Sequence, residues 1–406
     1  MLGIGFIVGS GIFIMPLLAA QQSGTFSLLA WAAAGFYCIL TGLCFAELAA
    51  LIPKAGGLYS YAHKLLGERW GFLCGYTFWT GYWITIAAEM WAIAWYLGFF
   101  VPWSDTARLA VACAIGLVLT YVNYRGVKQG GEAEDALTAI KLMALALFVV
   151  AGMLFFQPQR VLNPTGGDAP LLAGLLSSFL LALWAYQGAE IITVPEEEIK
   201  NARKTVPKAI VVSVFSVMAL YLLVALVVVG SVDWRDYASS ETPLADMMHS
   251  FMGGHGGIVI AIGGLVSIIG ALNAVILASA RISYAMARDK LFPRFFNYLH
   301  PRFETPSRAL WLHFAMACLL AFALRDFEAL AMLVVLFTLI PYALSSFAAM
   351  RLHRVRSFLI PKWIPYAAAA ASLGLLAYAL YKSLLPAVLL LGAGMLLYSL
   401  LKRKLI

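Results

Sequence analysis

Charge is scarce in this chain: Asp, Glu, Lys and Arg make up 12% of its 406 residues, against 63% hydrophobic ones. A soluble domain carries about 25% charged residues, so a water-soluble enzyme or binding module is excluded. Cysteine is scarce too. Cys38, Cys44, Cys74, Cys113 and Cys318 all fall inside apolar stretches, and an odd number in lipid gives neither a disulfide framework nor a metal-ligand spacing. Signature motifs of catalysis are missing. The sequence holds no HExxH, P-loop, GxSxG or deaminase-type pattern, which argues against a membrane enzyme or an ATP-driven pump. No metal or cofactor is expected. Long polar segments are missing as well, so residues 1–406 read as one integral membrane domain without a large extracellular receptor module. No basic stretch precedes the first apolar run, and a cleavable signal is therefore not expected.

What fills the chain is a series of twelve apolar stretches, at about 2–20, 27–52, 73–100, 107–123, 135–156, 171–193, 207–231, 256–283, 306–324, 328–350, 363–381 and 385–401. Roughly 20 apolar residues suffice to cross about 30 Å of hydrocarbon as a helix. The first stretch begins at residue 2 without a polar lead-in, and truncation of the N-terminus stays open. With twelve spans and an inner N-terminus, 22 of the 28 Lys and Arg fall on the cytoplasmic side. Arg108, Arg160, Arg235, Arg325 and Lys382 fall outside, and Lys141 lies within a span. That asymmetry sets the topology: both termini are cytoplasmic in a multi-pass protein of the cell (inner) membrane. The net charge of +8 is thus orientation, not a nucleic-acid partner.

Two spans are interrupted. The first reads FIVGSGIFIMP (6–16) and the sixth reads SSFLLALWAYQGAEIIT (177–193), with a polar, glycine-bearing break at Tyr186-Gln187-Gly188. Glycine inside a helix costs about 1 kcal/mol relative to alanine, and unwound backbone at membrane depth is tolerated only where it lines a protein-enclosed or watery cavity. Glycine breaks at corresponding places five spans apart are the mark of an inverted-repeat secondary transporter. The breaks free backbone N–H and C=O groups for a substrate.

Four ionisable side chains sit inside spans, where each costs about 2.5–3.5 kcal/mol on insertion scales: Glu47, Glu89, Lys141 and Glu190. Lys141 has two open roles, a cation fixed between helices by carbonyl dipoles, or a titratable group that couples a proton to transport. Glu47, near a helix end, suits local pairing. Glu89, central in the third span, either bonds to a neighbouring helix or holds a substrate ammonium. Glu190 follows the second break by two residues and is expected on the pathway, as is Trp184 just before it. His313, the one histidine in a span, suits a packed and hydrogen-bonded role.

Six motifs in order resemble the amino acid–polyamine–organocation superfamily: GSGIF (9–13), FAELAALIPKAGGLYSYAHKLLG (45–67), EDALTAIKLMALAL (134–147), LWAYQGAE (183–190), EEEIKNARKTVPKAI (196–210) and IIGALNAVILASARISYAMARDKLFP (268–293). GSGIF and the fifth span resemble L-type amino acid transporter light chains and their bacterial relatives. LWAYQGAE and FTLIPYALSS (337–346) resemble the arginine/agmatine antiporters. The resemblance implies an all-α membrane protein with about twelve transmembrane helices. It further implies a LeuT-type 5+5 inverted repeat (about 1–156 and 171–350) with discontinuous helices 1 and 6, and peripheral helices at about 357–402.

It also implies roles for residues at matching positions. The N–H groups around Gly9, Ser10, Gly11 and Ile12 would hold a substrate carboxylate, and carbonyls near Ile7, Trp184 and Gln187 its ammonium. Ala185 and Gly188 belong to the same break, and Thr85 and Ile86 face the substrate side chain. Trp184 closes over the substrate, while Tyr82, Glu190 and Tyr342 match a gate toward the cytoplasm. Lys141, with Ser267 beside it, resembles a substitute for a sodium ion. The implied activity is sodium-independent secondary transport of L-amino acids by alternating access, through proton symport or amino acid exchange. A cationic amino acid or polyamine antiporter is the alternative, and a sensor that binds amino acid without moving it is a third reading. The outer loop PWSDTA (102–107) has no cysteine for a disulfide to a single-span partner, so no such obligatory partner is expected; homo-oligomerisation stays open.

Overall fold

A computed structural model describes residues 2–126, 131–194, 196–353 and 360–403. Pro195, in the inner loop 194–206, and residues 357–359, where the peripheral helices are expected to begin, lie outside the described residues. Every regular element described is a helix. This is what lipid dictates, because a backbone without water must satisfy its hydrogen bonds within each segment.

In chain order the helices are α1 (Leu2–Ile7), α2 (Gly11–Ser23), α3 (Ser27–Leu51), α4 (Leu58–Leu66), α5 (Glu68–Gly98), α6 (Asp105–Tyr124), α7 (Gly131–Leu154) and α8 (Pro158–Leu162). They continue with α9 (Leu171–Tyr186), α10 (Ala202–Ser231), α11 (Pro243–Arg288), α12 (Ser307–Ala323), α13 (Phe327–His353), α14 (Trp363–Lys382) and α15 (Leu384–Arg403). Among the described residues nine stretches are long and apolar enough to cross a membrane, and one of these, Gly11–Leu51, contains both α2 and α3. The 31-residue α5 and the shorter apolar α12 complete twelve spans. Both expected interruptions are present. The first span is divided between α1 and α2, and α9 ends at Tyr186 before a 3-10 turn over Ala189–Thr193.

α11 is divided as well. Gly253 (φ 71°, ψ −169°), within the segment DMMHSFMGG (246–254), separates a short helix from the eighth span.

The centre of the bundle is α5, buried from Gly71 to Tyr96 along most of its length and packed against α11, α13, α4, α6 and α12. It therefore carries the central wall of any cavity between the two breaks. α15 lies at the periphery, with Leu385, Leu389, Met395 and Leu396 exposed, the surface that lipid tails cover. α2 packs on α9, and α1 on the 3-10 turn that follows it. The two interrupted spans thus meet along both halves.

Candidate functional site

At the first break the helix is interrupted over Val8–Ser10, with Ser10 already at helical dihedrals (φ −63°, ψ −32°) as the cap of α2. The last carbonyls of α1 consequently lack helical partners, and side chains from three other helices supply donors. Lys141 of α7 donates from Nζ to the carbonyls of Gly5 (2.6 Å) and Val8 (2.9 Å). Ser267 of α11 donates from Oγ to Val8 (2.9 Å) and reaches the Gly9 carbonyl at 3.3 Å. Tyr221 of α10 donates to the Ile7 carbonyl at 3.1 Å. Lys141 is only 2% exposed, so its ammonium is held by carbonyl dipoles at the C-terminal end of α1, the end that favours a cation. On the other side of the break, the Ser10 hydroxyl donates to Oε1 of Glu89 at 2.9 Å. That carboxyl therefore stands at the start of α2, where a substrate carboxylate is expected from the resemblance.

The second break is held mostly from within. Gln187 is extended (φ −64°, ψ 152°) and Gly188 takes φ 126°, a conformation open to glycine but not to side chains with a Cβ. The Gly188 N–H donates to Oε2 of Glu190 at 3.0 Å, and the same oxygen accepts from the Tyr342 hydroxyl of α13 at 2.7 Å. The glycines also set how closely the spans cross. A Cβ at Gly11 would stand 2.4 Å from Ala185 Cα, and one at Gly188 would stand 2.5 Å from the Phe6 carbonyl oxygen.

Between the breaks lies a cavity of about 50 Å³. Of the residues expected at the site, Ile7, Gly9, Ser10, Gly11, Tyr82, Thr85, Glu89, Trp184, Ala185, Gln187, Gly188 and Glu190 line it. Ile12 and Ile86 are fully buried nearby but do not line it. Tyr342 reaches it only through Glu190. Lys141 and Ser267 stand behind the first break, touching its carbonyls rather than the cavity. Phe6, Ile191, Ala271 and Val275 complete the lining. Sequence reasoning missed these four because their side chains carry no chemical signal, and it missed Tyr221 because a tyrosine in an apolar span reads as packing.

Among the described residues, three buried polar atoms around this cavity have no hydrogen-bond partner: Glu89 Oε2, Tyr82 Oη and Gln187 Nε2. Buried polar groups are ordinarily paired, so a substrate's polar groups suit this place. At about 50 Å³ the cavity is smaller than an amino acid. Trp184, which lines the cavity, meets Phe327 edge-on with ring centroids 6.1 Å apart. Of the residues expected to gate, Tyr342 donates to Glu190, whereas Tyr82 lines the cavity with its hydroxyl without a partner among the described residues.

Two other buried ionisable groups are structural. Glu47 pairs with His353 of α13 (Oε2 to Nε2, 3.0 Å), tying the inner ends of two helices. His313 accepts from the Trp79 indole at 2.6 Å and lies 3.1 Å from the Ser279 hydroxyl. No group of His, Cys, Asp and Glu suited to a metal ion occurs among the described residues.

These features fit a helical membrane transporter with a polar cavity between two broken spans. The amino acid permease family model matches residues 1–398, and the chain belongs to that family. It is a multi-pass membrane protein for secondary transport of amino acids, not an enzyme, and its helices with interrupted first and sixth spans fit the LeuT type. The branched-chain amino acid permease BcaP of Bacillus subtilis is 26% identical over 361 residues, which cover 84% of this chain and 76% of that protein. An uncharacterised transporter of Mycobacterium tuberculosis is 33% identical over 312 residues, 76% of this chain and 68% of that one. The serine/threonine exchanger SteT of Bacillus subtilis is 29% identical over 329 residues, covering 78% and 73% respectively. Mouse cationic amino acid transporter 4 is 28% identical over 84% of this chain, which spans 56% of its length.

Proposed function

We propose that this protein moves L-amino acids across the cell (inner) membrane by sodium-independent alternating access, with both termini cytoplasmic. The observation that carries the reading is the Lys141 ammonium on the Gly5 and Val8 carbonyls, with Ser267 on the same Val8 oxygen. A fixed positive charge already satisfies the carbonyls that a bound metal cation would otherwise need. The substrate's carboxylate is received at the start of α2, by the N–H groups from Gly9 to Ile12. Its ammonium is received by the carbonyls of Ile7, Trp184 and Gln187. Carbonyl oxygens have two lone pairs, so Ile7 can accept from a substrate while still accepting from Tyr221. Thr85 and Ala185 bound the side-chain space, with Ile86 behind it.

In this mechanism Trp184 with Phe327 closes the outer side, and Glu190 with Tyr342 and Tyr82 closes the inner side. The first break opens and shuts as α1 and α2 shift against α7, α10 and α11. The inverted repeats run over about 1–156 and 171–350 with the last two helices peripheral, and the protein works without an obligatory single-span partner. A cationic substrate is the second reading. It is favoured by Glu89, whose carboxyl lines the cavity with one oxygen unpartnered among the described residues.

Uptake of radiolabelled L-amino acids into proteoliposomes tests both. The vesicles are either empty with an inward proton gradient or preloaded with unlabelled amino acids at equal pH, in sodium-free buffer. Uptake driven by the gradient makes the protein a proton symporter, and uptake only into preloaded vesicles makes it an exchanger. A requirement for sodium in either format would overturn the reading. Competition by arginine, agmatine and putrescine, but not by neutral amino acids, would select the cationic alternative.

A further inference from the structure

The loop that leads into α12 is bound to the end of α6. The Thr305 hydroxyl donates to the Tyr124 carbonyl at 2.8 Å, and the Tyr124 hydroxyl lies 3.1 Å from His300 Nε2. The loop also closes on itself: the His300 N–H donates to the Thr305 carbonyl and the Glu304 N–H to the His300 carbonyl, both at 2.8 Å. Phe303 is thereby fixed as a platform, its ring 4.7 Å from that of His300 and 5.4 Å from that of Tyr124.

Two guanidiniums share this platform. Arg125, just past the end of α6, stands 5.1 Å from the Phe303 centroid, and Arg302 stands 5.5 Å from it. Both are exposed, and neither forms an ion pair among the described residues. Glu304, two residues from Arg302, is exposed and pairs with neither. Two like charges on one ring repel, and an anion between them relieves the repulsion. Guanidinium forks match phosphate oxygens in particular.

Below the arginines the surface changes character. On α6 the exposed Arg125, Tyr121 and Val118 follow one another at intervals of four and three residues. On α12 the exposed Arg308, Trp311, Ala315 and Leu319 follow at intervals of three, four and four. Residues so spaced share a helix face. Each helix therefore carries a stripe that runs from a cation through an aromatic ring to aliphatic side chains, and the two helices pack together. That is the order of headgroup, interface and hydrocarbon in a lipid leaflet.

We propose that this surface binds one anionic phospholipid, with its phosphate between Arg125 and Arg302 and its acyl chains along the stripes of α6 and α12. A free phosphate has no use for the stripes, and a zwitterionic lipid brings a cation of its own to two guanidiniums. The assignment goes beyond the transport reading and does not depend on it. Both helices pack on α5, so the lipid braces the pair that stands behind the central wall.

The test is native mass spectrometry of the delipidated full chain, titrated with phosphatidylglycerol, with phosphatidylcholine of the same acyl chains, or with inorganic phosphate. The wild type should take one equivalent of phosphatidylglycerol about tenfold or more tightly than phosphatidylcholine, and millimolar phosphate should not displace it. Arg125→Gln combined with Arg302→Gln should weaken that equivalent about tenfold or more. Arg203→Gln, at an exposed arginine in the first turn of α10, should leave it unchanged. A second readout fixes the place without touching either arginine. One equivalent of phosphatidylglycerol brominated on its acyl chains, added in detergent, should quench tryptophan fluorescence less in Trp311→Phe than in the wild type.

Equal affinity for the two lipids would overturn the site. A loss in Arg203→Gln as large as in the double variant would do the same, because it marks general charge attraction. Displacement by inorganic phosphate would make this a free-anion site and reject the lipid. Quenching indifferent to Trp311 would put the lipid elsewhere on the surface and reject the assignment.

Discussion

At the first break the exposed groups are carbonyls, and donors from three other helices meet them: Lys141, Tyr221 and Ser267. At the second break the exposed group is the Gly188 N–H, and a carboxylate two residues along the same chain meets it. The signs follow from helix ends. A helix finishes in carbonyls and favours a cation, and a helical turn begins in N–H groups and favours an anion. The difference lies in dependence. The first break is whole only while α7, α10 and α11 stay in place around α1. The second carries Glu190 with it, and that carboxylate also accepts from Tyr342 of α13. The first break is thus the element that senses how the helices are arranged, and the second can move as a unit.

Replacing the ammonium is the hardest blow to this arrangement. Lys141→Ala leaves the Gly5 and Val8 carbonyls without that donor, and an unmet buried polar group costs about 1–3 kcal/mol. Transport should fall to background in proteoliposomes, with a lowered thermal midpoint. At the second break no single substitution should do as much, because the chain answers its own N–H. Wild-type flux and stability in Lys141→Ala would remove the asymmetry between the breaks.

Two hydroxyl deletions sharpen the comparison. Tyr221→Phe takes the donor from the Ile7 carbonyl, a predicted substrate ligand, at a cost of about 1 kcal/mol. Apparent affinity in uptake should weaken about fivefold. Tyr342→Phe leaves the Gly188–Glu190 bond intact. Its affinity should change less than in Tyr221→Phe, with faster exchange as the inner closure loosens. Equal losses of affinity in both would mean that the two breaks are held alike.

How legible this was in the sequence differs between the breaks too. GSG and YQGAE announce where helix cannot continue, since glycine and extended residues are read from local chemistry alone. Lys141 was legible as well, being a basic side chain set well inside a span rather than at its end. Tyr221 was not, because its role comes from the approach of α10 to α1, a tertiary fact without a local signature. Glu89 was legible as a charge but not in its position: only the fold brings it onto Ser10, where it competes for the place of a substrate carboxylate. Phe327 was lost among aromatic residues that mostly pack or face lipid interfaces.

The smallest effect expected lies just beyond the second break, where the sequence offers only a run of acidic residues in an inner loop. Glu196 accepts from the Lys54 N–H at 3.1 Å and from the Tyr61 hydroxyl, and the Gly56 N–H reaches the Val194 carbonyl at 3.1 Å. The chain after the second break is thereby clasped to α4 and the turn before it. Burial pushes the Glu196 carboxyl from 4.5 up to about 8, partly opposed by its hydrogen bond with Tyr61. A carboxyl whose value is raised in the closed form binds more protons there than when released. The clasp is therefore strongest below about 4.5 and weakens as pH rises through about 8. The thermal midpoint of the wild type should fall across this window relative to Glu196→Gln, by roughly 1–2 °C per pH unit. The amide keeps its oxygen for the Lys54 N–H and turns its NH2 to the Tyr61 oxygen while removing the titration, so the difference in slope between the two proteins reports this one group. Parallel slopes would show that the clasp stays shut at every pH, and that the second break is as firmly tied to its surroundings as the first.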